Sequence, residues 1–453
     1  MAINDIALYA HLSDEDVEAL AGELDAIRTE VEESRGAADA RYIHRVIRAQ
    51  RVLEIGGRAA LLGSRSRVLW GAGVSMLALA KIIENMELGH NIIHGQWDWM
   101  NDPEIHSTSW EWDMACPSAH WMHSHNYMHH KYTNVVGLDL DVGYGVLRVT
   151  RDERWQLKRI IQPLGSLLLG VTFEWGIALH DLELKEVFAG NKSWDVARPQ
   201  LRELGVKSAR QVGKDFIAYP LLGRALGGSF RRTAGANLAA NVIRNVWTYA
   251  VIFCGHFPDG AEKFTPESIE DETHGEWYLR QMLGSANITG GPVMDFMSGN
   301  LSYQIEHHLF PDLPSNRLAA IAVRVRALCE KYDLPYTEGS LAKQYGLTSR
   351  TIAKLSLPDK LLRATSDDAP ETASELRFAM RDKLSHAQES AQERLAHAQE
   401  SAHDRLVHAQ EGLAAAQEQV QRVGLRTALA DLAHRRVDEK RRARADRKAR
   451  RAR

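Results

Sequence analysis

The stretch HNYMHHKYTN places His125, His129 and His130 within six residues. A second pair, His90 and His94, is spaced i, i+4 in HNIIH, so on a helix the two rings share a face and can grip one cation. A third group, QIEHH, offers Gln304, His307 and His308, and His256 closes FCGHF. Neutral imidazole suits iron, zinc or copper. In each adjacent pair one ring can face one metal while its neighbour faces a second, so the pattern predicts a two-metal centre. A zinc-protease reading fails because no glutamate follows His90 to act as base.

Such ligands need rigid elements to hold them. The runs Val68 to Ile83, Arg159 to Asp181 and Asn237 to Phe257 are apolar, with His90 and His94 following the first and His256 at the end of the third. Each is long enough for a membrane span or close to it. A shorter run from Phe216 to Phe230, broken by Arg224, reads as interfacial or re-entrant. Before the first run, SDEDVEALAGELDAIRTEVEES starts with Ser13 as an N-cap and reads as a solvated helix.

Beyond Pro370 the composition changes. HAQE recurs at His386, His397 and His408, and an alanine-rich stripe follows the same eleven-residue period. That period predicts a long amphipathic helix with a slight right-handed supercoil. From Arg435 to Arg453 there are 11 Lys or Arg against 3 Asp or Glu, a local basic block. The whole chain carries a net charge of −3, so it has no overall nucleic-acid signature. Three cysteines without a CxxC fit a reducing compartment, and no signal peptide opens the chain.

With SGNLSYQIEHHLFP as the third histidine box, the three boxes resemble the membrane fatty acid desaturases. HNYMHHKYTN, GLDLDVGYG, FCGHFPDG and EWYLRQMLGSANI are similar to the mycobacterial stearoyl-coenzyme A type. The likeness runs over residues 40 to 350. It implies an all-α helical membrane bundle of about four spans, capped by a cytosolic centre of two non-haem iron ions. It implies His90, His94, His125, His129, His130, His256, His307 and His308 as ligands, with Gln304 where many relatives carry histidine. Asp139 and Asp141 are candidates to orient ligand imidazoles. The chain then divides into an N-terminal cytosolic helical segment (1–64), a membrane desaturase domain (65–350), a linker (351–370) and the repeat helix with its basic tail (371–453).

Trp97, Trp99, Trp110, Trp112 and Trp121 crowd the stretch between boxes one and two and read as an acyl channel or as interfacial anchors. The expected activity is oxygen-dependent cis-desaturation of a saturated acyl chain, carried on coenzyme A or on lipid. No dinucleotide fingerprint is visible, so electrons must come from a separate ferredoxin or reductase. No HPGG motif marks a fused cytochrome b5. A lipid or alkane hydroxylase using the same iron, and a membrane scaffold acting through the C-terminal helix, are the rival readings. The boxes must share one face of the cell membrane. Basic residues from Arg148 to Arg159 make that face cytoplasmic by the positive-inside rule. Arg41 to Arg67 ask the same of the N-terminal side, which conflicts with a single crossing before His90.

Overall fold

The structure is a computed structural model that describes residue 9 and residues 11–258, 260–362, 414–415, 417–418 and 424–450. The chain divides into two compact units, Met1–Leu376 and Arg377–Arg453. In the second, residues Leu425–Arg450 form a helix with exposed arginines. The eleven-residue repeat with His386, His397 and His408 lies outside the described residues.

The first unit is helical. Its one sheet among the described residues is a parallel pair, β1 (Asn287–Thr289) with β2 (Glu338–Ser340). Helix α1 (Asp14–Ser34) starts at Ser13 in a reciprocal cap. The Ser13 hydroxyl accepts from the Asp16 amide, and the Asp16 carboxylate accepts from the Ser13 amide. A solvated α1 is not what forms. Val17, Leu20, Ala21, Leu24 and Ile27 recur at helical spacing and are buried with Leu279, Met282, Leu313 and Leu318.

Helices α2 (Ala37–Leu62) and α3 (Arg67–Ile93) make an antiparallel hairpin. Tyr42, near the start of α2, donates its hydroxyl to Glu87, near the end of α3, at 2.8 Å. The backbones close up at Gly57 and Gly73, where a Cβ on Gly57 would stand 3.2 Å from the Gly73 carbonyl oxygen. The exposed Arg41, Arg45, Arg48 and Arg51 therefore lie at the same end of the hairpin as His90. Arg65 and Arg67 lie at the opposite end, beside the turn between the two helices.

Helix α4 (residues 118–132) carries box two. The run from Arg159 to Asp181 is not one straight span. It forms α5 (Gln162–Val171) and α6 (Phe173–His180), and the two limbs of this run meet at 101°. Both outer ends return to one loop. Arg159 donates to the Val146 carbonyl at 2.6 Å, and His180 Nε2 lies 3.5 Å from Asp141 Oδ1. The apolar run is thus a V that enters and leaves on one side.

The run from Phe216 to Phe230 that read as interfacial or re-entrant lies mostly at the end of a longer helix. Helix α7 (residues 194–225) is continuous through a π-helical turn at Lys214–Ala218. Helix α8 (Phe230–His256) runs back toward the histidines. Asp215 of α7 is fully buried and accepts from Asn241 of α8 at 3.2 Å. It also pairs with Lys81 of α3 at 3.2 Å and Arg58 of α2 at 3.3 Å. One carboxylate thereby joins four helices, and it is tolerable in an apolar bundle only because it is paired on all sides.

Among the described residues, Arg67–Ile93 is the one helix long and apolar enough to cross a membrane by itself, with the bent pair as a second if taken as one span. Helices α9 (His274–Leu283), α10 (Gln304–Leu309), α11 (Leu318–Lys331) and α12 (Leu341–Leu355) follow, with short helices at Leu184–Ala189 and Pro292–Met297 besides.

Candidate metal centre

Boxes one and two both sit on π-helical turns, Glu84–His90 and Met122–His129. Such turns interrupt α-helices mostly at functional sites. The His125 ring stacks on His129 at 4.8 Å and meets His130 edge-on at 5.0 Å. Box three is a short helix, α10, and His256 is the last residue of α8.

The ligating atoms of His90, His94, His125 and His307 all lie within 4.8 Å of one another, and those of His129, His256 and His308 form a second such group. All seven side chains are buried. His130 sits between the groups, its ring stacked on His308 at 4.4 Å and edge-on to His94 at 4.6 Å.

Four of the rings have their Nδ1 proton fixed by an oxygen acceptor. His90 faces Asn91 Oδ1 at 3.1 Å, His125 faces Asp141 at 3.1 Å, His129 faces Asp139 at 2.9 Å, and His308 faces Gln281 Oε1 at 3.1 Å. A carboxylate or amide oxygen can only accept, so Nδ1 carries the proton and Nε2 keeps its lone pair. The Nε2 atoms of His94, His125, His129, His130 and His307 are buried without a hydrogen-bond partner. Buried polar atoms left unpaired are costly. His256 and His308 bring their Nε2 atoms to 3.3 Å. Nitrogens bound at about 2.1 Å around one tetrahedral cation stand about 3.4 Å apart. The donor set therefore fits metal, and it fits two ions.

Gln304 lies in the second group, its Nε2 3.0 Å from His256 Nε2 and its Oε1 buried without a partner. A half-turn of the amide exchanges the two atoms and aims the oxygen where a cation would sit. Glu306 turns away from the rings, accepting from Tyr336 and Asn287 at 2.9 Å each. Burial pushes its carboxyl up to about 7.

Burial, followed by the neighbouring imidazoles, holds His94, His130, His307 and His308 well below the ordinary histidine range. That favours the neutral, ligating form. Burial acts the same way on His129, but Asp139 outweighs it and raises that ring instead.

A narrow cavity abuts His90 and His125, walled by Met86, Trp112, Met114, Trp121, Ile177 and Ile252. Of the tryptophans in the expected channel, Trp112 and Trp121 line it. Trp97 and Trp99 pack elsewhere, with Ile43, Ile47 and Ile83, and Trp110 bridges the two clusters. Asn85 spans the cavity's polar edge, accepting from Thr248 at 2.9 Å.

Sequence reasoning missed Gln281, Thr133 and Asn91. Gln281 lies inside the quoted EWYLRQMLGSANI, but nothing about a lone glutamine marks it. Thr133 donates to Gln281 at 2.7 Å, steadying the oxygen that His308 uses. His180, left over from the boxes, stands beside Asp141, and His120 Nε2 lies 2.9 Å from Glu203.

A sequence model described as "Fatty acid desaturase" matches residues 67–340, more than half of the chain. Over 380 residues the chain is 60% identical to the "NADPH-dependent stearoyl-CoA 9-desaturase" of Mycobacterium tuberculosis, covering 84% of this chain and 89% of that protein. It is 26% identical over 276 residues to the "sn-1 linoleoyl-lipid 6-desaturase" of a Synechocystis species, covering 58% and 74%. To human "Fatty acid desaturase 3" it is 26% identical over 231 residues, covering 48% and 46%. Three histidine boxes folded into one buried cluster, and this likeness over most of the chain, make it a member of the fatty acid desaturase family.

Proposed function

We propose that this chain is an oxygen-dependent acyl-CoA desaturase that introduces a cis double bond into a saturated chain, with stearoyl-CoA as substrate and carbon 9 as the position. The observation that carries the reading is the convergence of two groups of buried imidazoles beside a narrow, largely apolar cavity. The relative named for stearoyl-CoA supports the substrate and position.

His90, His94, His125 and His307 would hold one iron. His129, His256, His308 and Gln304 would hold the second, with His130 between them. Two irons there would supply the oxidising chemistry with dioxygen that an unactivated methylene requires and no side chain provides. Asp139 and Asp141 keep the Nδ1 protons of His129 and His125, so the lone pairs stay aimed inward. Trp112 and Trp121 exclude water and confine the acyl chain beside the first group. Holding two neighbouring methylenes in one walled channel favours removal of both hydrogens and so the alkene over the alcohol. Electrons would come from a separate protein, with NADPH as the ultimate reductant by analogy with that relative's name.

Helices α2, α3, α7 and α8 would make the four crossings of a cell membrane, with α5 and α6 re-entrant. Exposed apolar side chains on α3 (Val68, Leu79), α5 (Leu164, Leu168), α7 (Ile217, Leu221) and α8 (Leu238, Ile243) support this belt. Arg41, Arg45, Arg48, Arg51 and the Arg148–Arg159 group at the histidine end outnumber the arginines at the far end, which favours a cytoplasmic centre.

The test is mass spectrometry of lipids from an expressing host supplied with saturated chains, alongside metal analysis of the purified protein. The expected results are a loss of two mass units at carbon 9 and two irons per chain. A gain of sixteen units would instead assign the hydroxylase, and one zinc per chain would refute the centre.

A further inference from the structure

Beside α7 lies a cleft of about 880 Å³, with the 111–117 loop and the first turn of α4 as its facing wall. Arg198, Arg202, Lys207, Arg210 and Lys214 line it from the helix. Glu111, Asp113 and Glu203 are the acids in its lining, so cations outnumber carboxylates five to three.

The cations fall into two sets. Lys207 donates to the Cys116 carbonyl at 2.7 Å and pairs with Glu111, and Lys214 pairs with Asp113. Burial pushes the Asp113 carboxyl up, but Lys81 and Lys214 outweigh it and hold the group well below the usual carboxylate range. These pairs fasten the loop to the helix. The guanidiniums are not so used. Arg202 and Arg210 have no carboxylate partner among the described residues. Arg198 has only Asp195, at 3.9 Å, in an exposed contact of little strength.

The loop wall has two sides. Glu111 and Asp113 line the cleft, while the alternating Trp112 and Met114 line the cavity beside His90 and His125. One short loop segment thus separates a cationic cleft from the apolar cavity. A charged acyl carrier cannot follow its chain into such a cavity without losing its hydration. It must stay outside and near by.

We infer that this cleft binds the phosphate groups of the coenzyme A moiety through Arg198, Arg202 and Arg210, a reading that rests on the proposed acyl-CoA substrate. Guanidinium meets phosphate by paired, charge-assisted hydrogen bonds, which an isolated lysine cannot reproduce. Arg198 and Arg202 are one helical turn apart, about 6 Å along the axis, so they can meet two phosphates of one nucleotide together. Arg210 lies about 12 Å further along the same helix, toward the fastened part of the wall. A phospholipid headgroup offers the same phosphate chemistry but only one phosphate, and it would leave this spread of cations unmatched.

The test uses the purified full-length chain, with adenosine 3′,5′-bisphosphate as the probe and calorimetry as the readout, so no turnover is needed. The variants are Arg202→Gln with Arg210→Gln together, and Arg198→Gln alone. All three side chains line an open cleft, and iron content checks that each variant is intact. Wild type should bind the probe, and each variant should lose about tenfold in affinity. With stearoyl-CoA, KM should rise by a similar factor while kcat stays within twofold. Equal probe affinity in wild type and both variants would overturn the assignment. So would variants that bind the probe normally but lose affinity for nanodiscs containing phosphatidylglycerol, since that result would give the cleft to lipid. If wild type binds the probe but desaturates only lipid-linked chains, the cleft stands and the acyl-CoA substrate falls.

Discussion

Asp139 Oδ2 stands 2.9 Å from His129 Nδ1, and the same oxygen accepts the Asn134 amide at 2.8 Å. The carboxylate is therefore held in place before it orients the ring. Asp139→Asn keeps the shape but can present a donor where an acceptor is needed. Metal affinity should fall about 10–100-fold, as for other partners that orient a ligand imidazole. Iron titration of the purified variant measures it. Affinity equal to wild type would show that the contact does not set the ring.

Gly255 precedes His256 and packs on Gln304. A Cβ there would stand 2.9 Å from both Cγ and Cδ of Gln304. Gly255→Ala should therefore push the amide off the second histidine group without replacing any of its side chains. We expect the variant to keep its helix, lose activity by about tenfold, and hold the second iron more weakly. Gln304→Leu should behave alike. If Gly255→Ala loses iron while Gln304→Leu keeps it, the glycine acts through His256 instead.

The metal-free protein should be destabilised by acid. His94, His130, His307 and His308 are all depressed by burial and by one another. A base depressed in the folded state binds fewer protons there than in the unfolded chain, whose histidines titrate near about 6.5. Their contribution is present above that pH and is lost as pH falls through the folded values. His129, which Asp139 raises, contributes in the opposite sense. So does Glu306 near pH 7, its carboxyl raised by burial. Together they are two groups against four. Melting of the iron-free chain should drop steadily from pH 7 to pH 5, and added iron should blunt the fall. A melting temperature independent of pH would mean the rings are not buried as neutral bases.

The clustered histidines were legible because their spacing and the doubled pairs are rare outside metal sites. Asp139 and Asp141 could be named as orienting groups, since acids follow box two closely in the chain. Gln281 could not, because its role depends on α9 packing across α10 from a distant part of the sequence. Hydropathy missed the break in one apolar run for a related reason. The run from Arg159 to Asp181 is apolar throughout, yet Thr172 marks a bend that no composition average registers. Of helix α7 only the end, within the Phe216 to Phe230 run, registered, because residues 194–214 are highly charged. Its charges are admissible because Asp215, Lys214 and Lys207 find partners on other elements.

Arg244 and Glu174 form a second ion pair inside the bundle, at 2.8 Å and almost wholly buried. Arg244 also donates to Asn245 Oδ1 at 2.9 Å and to the Asp113 carbonyl at 3.1 Å. It thereby ties α8 to α6 and to the wall between cleft and cavity. Arg244→Leu would leave the Glu174 carboxylate buried and unpaired. Breaking a buried pair from one side costs about 3–5 kcal/mol, whereas replacing both partners by apolar groups is often neutral. The single variant should melt far below wild type. The double variant Arg244→Leu with Glu174→Leu should recover most of that loss but not the carbonyl contact, so its turnover should stay reduced. A double variant no more stable than the single would show that Arg244 stabilises the bundle through the Asp113 carbonyl, not through Glu174.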